Sequence, residues 1–371
     1  MATSRRALVF CVKMAHPGDT SALAALIAGG DVAATEIVAI FGKTEGNGCV
    51  NDFTRPYAIE SLKTALAPLL GCGRDELAER IAMVMSGGTE GGLSPHFLVF
   101  AVRAMEAPAG SGKRLAIGRA ATRAFLPEEL GRLPQIRETA AAVGRAIAAA
   151  AISSPDDVHF VQIKCPLLTA ERHAEATSRG ALPATHDTYA SMGLSRGASA
   201  LGVGLALGEL DEAALADDVV CRDLGLWSAR ASASAGIELM NSEVVVLGNS
   251  AAWSGDLVIA HAVMRDAIDV LAAHEALAGI GLAAAQQLTG AQRERLRAVL
   301  AKADPASSGR IRGARHVMLD DSDILATRHA RAFVGGALAG LMGRTDLFVS
   351  GGSEHQGPDG GGPIAVIGVA P

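Results

Sequence analysis

Aromatic residues are scarce in this sequence of 371 residues: only 4% are Phe, Trp or Tyr, although 49% are hydrophobic. A core with so few rings must be filled mainly by Ala, Leu, Val and Ile. The length is enough for two or three ordinary domains. The 43 glycines predict many tight loops and close approaches between backbone segments.

Three other features are rare or missing, and each argues against a class of protein. Five cysteines, an odd number without a CxxC pair, predict free thiols in a reducing cytoplasm. The net charge of -6, without a long basic block, argues against nucleic acid as a partner. No segment resembles a charge-free membrane span, and the apolar run at residues 7–12 is too short for a secretory signal.

A serine followed by small residues and then an acid occurs three times. The three motifs read SGGTE, SAGIE and SGGSE, and they begin at Ser86, Ser234 and Ser350. A serine at a strand end before glycines exposes its hydroxyl, and the backbone N–H groups beside it can approach a substrate oxygen. Three such motifs spread along the chain indicate an internal repeat.

A lysine and then an arginine precede each serine in the same order. The lysines are Lys43, Lys164 and Lys302, and the arginines are Arg55, Arg196 and either Arg328 or Arg331. Their unequal spacing indicates insertions in the loops. We therefore predict three like units, at residues 1–106, 112–250 and 255–371, which can close around a pseudo-threefold axis. Linkers are expected near residues 107–112 and 249–255.

Hydrophobic patterns predict that strands and helices alternate along the chain. Strands are predicted at residues 7–12, 36–41, 81–85, 95–102, 158–163, 243–247, 315–319, 347–349 and 363–369. Helices are predicted at residues 21–28, 58–70, 198–207, 257–274, 291–302 and 326–342.

Equivalent side chains of three such units would meet at one centre. A serine can act there as a nucleophile with lysine as its base, provided that burial and neighbouring cations lower the lysine pKa. Each arginine can donate a forked pair of hydrogen bonds to a carbonyl edge. A threefold set of donors predicts a small ring ligand with threefold or nearly threefold acceptors.

Longer motifs around these residues resemble those of the cyanuric acid hydrolase/barbiturase family. They are GKTEGNG from Gly42, MSGGTEG from Met85, VQIKCPLL from Val161, SASAGIEL from Ser232, and residues 350–363. The resemblance covers essentially the whole chain. It implies an α/β fold of three structurally similar units around a pseudo-threefold axis, with a β-sheet core and outer helices.

The resemblance also implies the activity, which is hydrolytic opening of a small cyclic imide. The reaction is either cyanuric acid to 1-carboxybiuret, in s-triazine catabolism, or barbiturate to ureidomalonate. A relative that binds a ligand without catalysis is a third alternative, against which the presence of all three serines and lysines argues. The family further implies a homotetramer.

The family motifs imply a role for each repeated residue. Ser234 is the implied nucleophile and Lys164 its general base. The implied substrate-binding residues are Lys43, Arg55, Ser86, Gly87, Arg196, Ala235, Lys302, Arg331, Ser350 and Gly351. Arg331 fits the family by its distance from Ser350, with Arg328 as the alternative.

No organic cofactor is expected, but the resemblance implies a structural divalent cation in the third unit. Its ligands would be the Asp304 carboxylate and main-chain oxygens of the loop after the third serine. The implied loop residues are Ser353, Gln356, Gly357, Pro358 and Gly361. Oxygen ligands suit Mg²⁺ or Ca²⁺ rather than zinc.

The residues themselves leave open why one serine of three should react. Lys164 lies in an apolar strand beside Cys165 and Pro166, a setting that favours a neutral amine. Lys43 is expected in a more polar, glycine-rich loop beside Glu45. This contrast favours the middle unit.

Overall fold

The computed structural model describes residues 4–106, 110 and 112–371, so the predicted linker at residues 107–112 lies mainly outside the described residues. The five cysteines are all described, and all are free thiols. None of the described helices is both long and apolar enough to cross a membrane.

The first sheet is built near the N-terminus. Its strands are β1 (Ser4–Lys13), β2 (Ile37–Thr44), β3 (Ala82–Gly87) and β4 (His96–Met105), and its helices are α1 (Ser21–Ala28), α2 (Thr54–Leu70) and α3 (Arg74–Arg80). The strand order is β3-β2-β4-β1. Strands β2 and β3 run parallel, whereas β4 is antiparallel to both of its neighbours.

The second sheet repeats this arrangement. Its strands are β5 (Arg114–Ala121), β6 (Val158–Pro166), β7 (Ala231–Gly236) and β8 (Glu243–Ser250), and its helices are α4 (Leu133–Ala149), α5 (Ala170–Ser178) and α6 (Thr188–Ala206). The order is β7-β6-β8-β5, with β6 and β7 as the parallel pair. The short strand β9 (Trp253–Ser254) then joins the first sheet beside β1.

The third sheet has the same order again. Its elements are β10 (Leu257–Met264), α7 (Val270–Gly279), α8 (Gly290–Arg295), β11 (Leu296–Ala303), α9 (Ala326–Met342), β14 (Phe348–Gly351) and β15 (Gly362–Val369). A separate hairpin of β12 (Arg310–Ile311) and β13 (Ala314–Arg315) lies before α9. The order is β14-β11-β15-β10, with β11 and β14 parallel.

The likeness of the sheets extends to their irregularities. Each sheet shifts register at the start of its second strand: between residues 37 and 39, 158 and 160, and 296 and 298. Bulges of this kind are retained structural features rather than accidents. The predicted fold class, three similar α/β units with sheets inside and helices outside, is confirmed. The exact unit boundaries stay a prediction.

Two predicted helices are wrong. Residues 257–274 form strand β10 followed by the shorter helix α7, and residues 291–302 form the short helix α8 followed by strand β11. Both strands pair with β15, and this pairing decides their conformation. Short runs of Ala, Leu and Val fit a buried strand as well as a helix. The strand predicted at residues 315–319 is reduced to the end of β13.

The inner faces of the three sheets share one hydrophobic core. Most of its residues are aliphatic, as the composition predicted. Phe41 of the first sheet nevertheless contacts Phe100 at 4.6 Å and Phe348 of the third sheet at 5.8 Å between ring centroids. The few aromatic rings therefore help to hold the units together.

Helix α4 approaches its sheet closely at Gly118 of β5, where a Cβ atom would collide with the carbonyl oxygen of Ala146. We predict that Gly118→Ala lowers stability by about 1–3 kcal/mol, because the helix must move away from the sheet. Thermal unfolding measures the effect.

The matched control is Gly144→Ala on the exposed face of the same helix, where a Cβ atom would meet nothing within 4 Å. Replacing a glycine inside a helix should raise stability by about 0.5–1 kcal/mol. An unchanged melting temperature for Gly118→Ala would contradict the close approach.

Candidate active site

In each sheet, a lysine of the second strand lies directly opposite the serine of the third strand. The register pairs are Lys43 with Ser86, Lys164 with Ser234, and Lys302 with Ser350. Residues opposite each other in a sheet project their side chains from the same face. The parallel strand pair therefore brings together a lysine and a serine that are far apart in sequence.

The three serine hydroxyls meet at the centre of the molecule. Ser350 Oγ lies 3.3 Å from Ser86 Oγ and 3.5 Å from Ser234 Oγ. They open into a cleft to which all three units contribute. The cleft is lined by Gly48, Arg55, Ser86, Gly87, Met192, Arg196, Ser234, Ala235, Arg331, Ser350 and Gly351.

The arginines of the cleft come from helices α2, α6 and α9, which pack outside the serine strands. Arg196 donates two hydrogen bonds to Glu354, at 2.8 and 2.6 Å. Arg331 does the same with Glu90, at 2.9 and 2.6 Å. In both pairs the acid is the last residue of another unit's serine motif. These bidentate pairs fix each guanidinium beside the cleft.

The choice between two arginines in the third unit can be made from exposure. Arg328 also binds Glu90, at 3.0 Å, but its side chain is 37% exposed and does not line the cleft. The Arg331 side chain is 5% exposed and lines it. The geometry favours Arg331 as the ligand-binding arginine.

Arg55 departs from the pattern of the other two. Its guanidinium donates to the carbonyl oxygens of Ala235, at 3.0 Å, and Cys49, at 2.5 Å. The nearest carboxylate oxygen is Asp52 Oδ2, which lies 3.7 Å from Arg55 Nε and just before the start of the same helix, α2. Arg55 therefore lacks the bidentate partner that Arg196 and Arg331 have.

The lysines also fall into two groups. Lys43 donates to Ser86 Oγ at 3.2 Å, and Lys302 donates to Ser350 Oγ at 3.3 Å. Lys164 instead donates to the Met85 carbonyl at 3.3 Å and forms an ion pair with Glu238 at 2.9 Å. Among the described residues, Lys164 thus contacts a carboxylate where the others contact their serine.

Burial lowers the pKa of all three lysines. The pKa of Lys43 falls well below its ordinary value, with Arg331 adding to the effect of burial. The pKa of Lys302 falls to about 7, through burial and Arg196. Burial also lowers the pKa of Lys164, but Glu238 opposes the shift. Partly neutral amines can accept a proton from serine.

The expected contrast between Lys43 and Lys164 is therefore wrong. Lys43 lies in strand β2 and not in a polar loop, and it is as fully buried as Lys164. Strand β2 extends to Thr44, so Lys43 is part of the sheet. Burial does not distinguish the middle lysine from the others.

Several residues around the cleft had no role assigned from the sequence. The acids that end the three motifs were visible there, at a constant four residues after each serine, and this spacing was the available signal. Asp52 and Met192 carry no comparable pattern. Asp52 accepts a hydrogen bond from the backbone of Gly48 at 2.8 Å and so shapes the cleft wall.

The residues implied to hold a cation lie together in the third unit. Asp304 Oδ2 accepts a hydrogen bond from the Ser353 backbone at 3.0 Å, whereas Oδ1 is buried without a hydrogen-bond partner among the described residues. Burial and the nearby Glu354 raise the Asp304 pKa to about 6. In the loop beside it, Gln356, Gly357 and Gly361 are buried and Pro358 is half-buried. A buried, unpartnered carboxylate oxygen fits a hard cation.

A search for clustered side chains alone would not reveal the predicted cation site. The described residues contain no group of three or more His, Cys, Asp or Glu side chains able to hold a metal. The implied ligands are instead mostly main-chain oxygens.

Comparison with known proteins identifies the family. The sequence profile described as "Amidohydrolase ring-opening protein" matches residues 8–369. Cyanuric acid amidohydrolase from Azorhizobium caulinodans is 60% identical over 361 residues, which cover 97% of this chain and 98% of that protein. The protein of the same name from Enterobacter cloacae is 54% identical over 365 residues, 98% and 99% of the two chains.

Solved structures support the same family. One, described as "Cyanuric acid hydrolase: evolutionary innovation by structural concatenation", has a TM-score of 0.95 at 52% identity and covers 99% of this chain and 100% of its own. The cyanuric acid hydrolase from A. caulinodans has a TM-score of 0.90 at 58% identity over 99% of both chains. The chain belongs to the ring-opening amidohydrolase family, and it is an enzyme of the hydrolase class.

The two arginines of α9 should respond differently to substitution. We predict that Arg331→Lys raises the KM for a cyclic amide at least about tenfold, because an ammonium group cannot reproduce the forked contact. The matched change Arg328→Lys should alter KM by less than about twofold, since exposed ion pairs contribute little. Steady-state kinetics measures both; a larger effect at Arg328 would reverse the assignment.

Proposed function

We propose that this enzyme hydrolyses cyanuric acid to 1-carboxybiuret, a step of s-triazine catabolism. The observation that supports this best is the meeting of the three serine hydroxyls, with Ser350 Oγ lying 3.3 Å from Ser86 Oγ and 3.5 Å from Ser234 Oγ. Cyanuric acid presents three equivalent carbonyl and N–H edges to such a site. Barbiturate replaces one N–H by CH₂, and the relatives described above carry the name of cyanuric acid amidohydrolase.

In this proposal each unit contributes one set of groups to the ring. Ser86 and Ser350, with the backbone N–H groups of Gly87 and Gly351, hold two of the carbonyls. The arginines contact the ring edges, and the carboxylates that hold Arg196 and Arg331 keep them in place before the ring enters. Such preorganised donors stabilise charge without rearrangement in the transition state.

Ser234 performs the chemical step in the middle unit. Its Oγ attacks a ring carbonyl carbon while Lys164 Nζ takes the hydroxyl proton. The ring C–N bond then breaks, and Lys164 returns the proton to the leaving nitrogen. The product of this half-reaction is a linear chain bound to Ser234 as an ester.

Water then completes the reaction by hydrolysing the ester, with Lys164 again transferring the proton. Lys164 takes a proton from the water as its oxygen attacks the ester carbon, and Ser234 Oγ leaves with that proton. The sum is one water consumed for each ring opened. Lys164 must turn from the Met85 carbonyl to Ser234, and such contacts are often completed only when substrate binds.

We also propose that Asp304 and the loop at residues 353–361 hold a structural Mg²⁺ or Ca²⁺. The ion would compensate the charge of the buried Asp304 carboxylate and stabilise the loop that follows Ser350. It takes no part in the reaction steps above.

The expected homotetramer and the cytoplasmic setting stay predictions. The net charge of -6 supports the further expectation that nucleic acid is not a partner.

Substitution of the three serines tests the proposed reaction. We predict that Ser234→Ala reduces turnover of cyanuric acid to background, because the ester cannot form. Ser86→Ala and Ser350→Ala should retain measurable turnover with a raised KM, because they remove ring contacts. Release of product, followed by chromatography, gives the rates.

Barbiturate serves as the comparison substrate for the wild-type enzyme. Faster turnover of barbiturate than of cyanuric acid would contradict the proposed substrate. Equal residual activity in all three alanine variants would contradict the assignment of Ser234.

Removal of Asp304 tests the cation. We predict that Mg²⁺ or Ca²⁺ raises the melting temperature of the chelator-treated protein, because an ion that binds only the folded state stabilises it by mass action. Asp304→Asn should abolish this rise. An identical shift in both proteins would place the ion elsewhere.

A further inference from the structure

The three motif acids form an incomplete cycle. Glu354 of the third unit binds Arg196 of the second, and Glu90 of the first binds Arg331 of the third. The same rule would pair Glu238 of the second unit with Arg55 of the first. Instead Glu238 forms an ion pair with Lys164 of its own unit, at 2.9 Å. The middle unit therefore uses its acid differently.

Two local differences accompany this change. Arg55 has its own carboxylate in Asp52 and donates to the Ala235 carbonyl, the counterpart of the Gly87 carbonyl that Lys43 contacts. In a symmetrical site, Glu238 would bind Arg55 and Lys164 would bind the Ala235 carbonyl. Here Arg55 contacts Asp52 and itself binds the Ala235 carbonyl.

The backbone of the middle motif differs as well. Gly88 and Gly352 adopt positive φ angles of 99° and 69°, and a Cβ atom on either would meet the arginine of the neighbouring unit. Gly236, the third member of the set, is outside the positive-φ region, and a Cβ atom there would meet the Glu238 carboxylate. The local chain conformation folds Glu238 back toward its own motif.

This arrangement matters because proton transfer creates a charge. When a buried lysine takes the serine proton, it becomes an ammonium group in a site already crowded with arginines. An uncompensated buried cation is costly. Glu90 and Glu354 are engaged by arginines. Of the three cleft lysines, all of which the structure describes, only Lys164 has a carboxylate in direct contact.

We propose that Glu238 is a positioning residue that completes a Ser234–Lys164–Glu238 triad and makes the middle unit the one that reacts. This inference rests on the proposed function. Glu238 orients Nζ and stabilises the ammonium group that forms as Ser234 attacks, in the way that a third group orients the base of other nucleophile–base pairs. Lys164 keeps its contact with Glu238 and exchanges the Met85 carbonyl for Ser234 Oγ.

The charged and titratable groups around Lys164 give the sign of the pH effect. They are Glu238, Arg55 and the adjacent thiol of Cys165. Glu238 is held ionised, since Lys164 lowers its pKa against the effect of burial. Removing this carboxylate removes the charge that opposes the lowering of the Lys164 pKa. The amine then becomes neutral, and so able to act as a base, at a lower pH.

The test compares Glu238→Gln with Glu90→Gln, its counterpart in the first unit. We expect Glu238→Gln to lower kcat about 100-fold with little change in KM, a typical loss for a perturbed acid–base group. The acidic limb of its kcat/KM profile should move to lower pH. Glu90→Gln should raise KM instead, because Arg331 loses its partner, and should leave the limb in place.

Glu238→Asp keeps the charge but shortens the side chain, and it should recover at least about tenfold of the lost kcat. Equal losses of kcat in Glu238→Asp and Glu238→Gln would overturn the triad. So would a fall in kcat of Glu238→Gln without a shift of the acidic limb of its kcat/KM profile. Either result would leave Glu238 with a structural role only. Wild-type kcat in Glu238→Gln while Ser234→Ala is inactive would overturn this inference alone. Full activity of Ser234→Ala would instead overturn the proposed function.

Discussion

The pairing of buried cations with carboxylates governs this cleft. Three lysines and three arginines are gathered around one centre, and a buried charge is tolerated only when a partner compensates it. For Arg196, Arg331 and Lys164, the acid four residues after a serine provides that partner. Where it binds an arginine, it fixes the guanidinium group beside the cleft; where it binds Lys164, it can support a proton transfer. Burial, together with crowding among the cations, lowers the pKa of the three lysines.

Strand register supplies the geometry on which this chemistry depends. Each serine faces its lysine across a parallel strand pair, and the same bulge recurs at the start of the second strand of every sheet. Because the three units belong to one chain, a residue in one unit can change without changing in the others. Asp52 and Ala235 are such differences, whereas Glu238 keeps the residue type of its counterparts and differs in its partner. A homotrimer would repeat each of them three times.

Local signals were sufficient for much of the fold. The strands that end at Ser86 and Ser350 were predicted because apolar runs stop at glycines, and helix α9 was predicted with its observed bounds. Residues 257–264 and 296–302 were assigned to helices because their Ala, Leu and Val fit either conformation. Pairing with β15 is a contact between distant segments, and it has no signature in the short runs themselves.

By itself the sequence determined the chemical groups of the site, their threefold repetition and the cleft they would share, because each motif is a short local pattern. Only the tertiary structure decided which acid meets which cation. The partners of Arg196 and Arg331 lie 158 and 241 residues away, in other units. Glu238 has the same spacing from its serine as the other two acids, yet it contacts a lysine. The fold around Gly236 and Arg55 makes that choice, since ion pairs depend on distance in space and not on position along the chain.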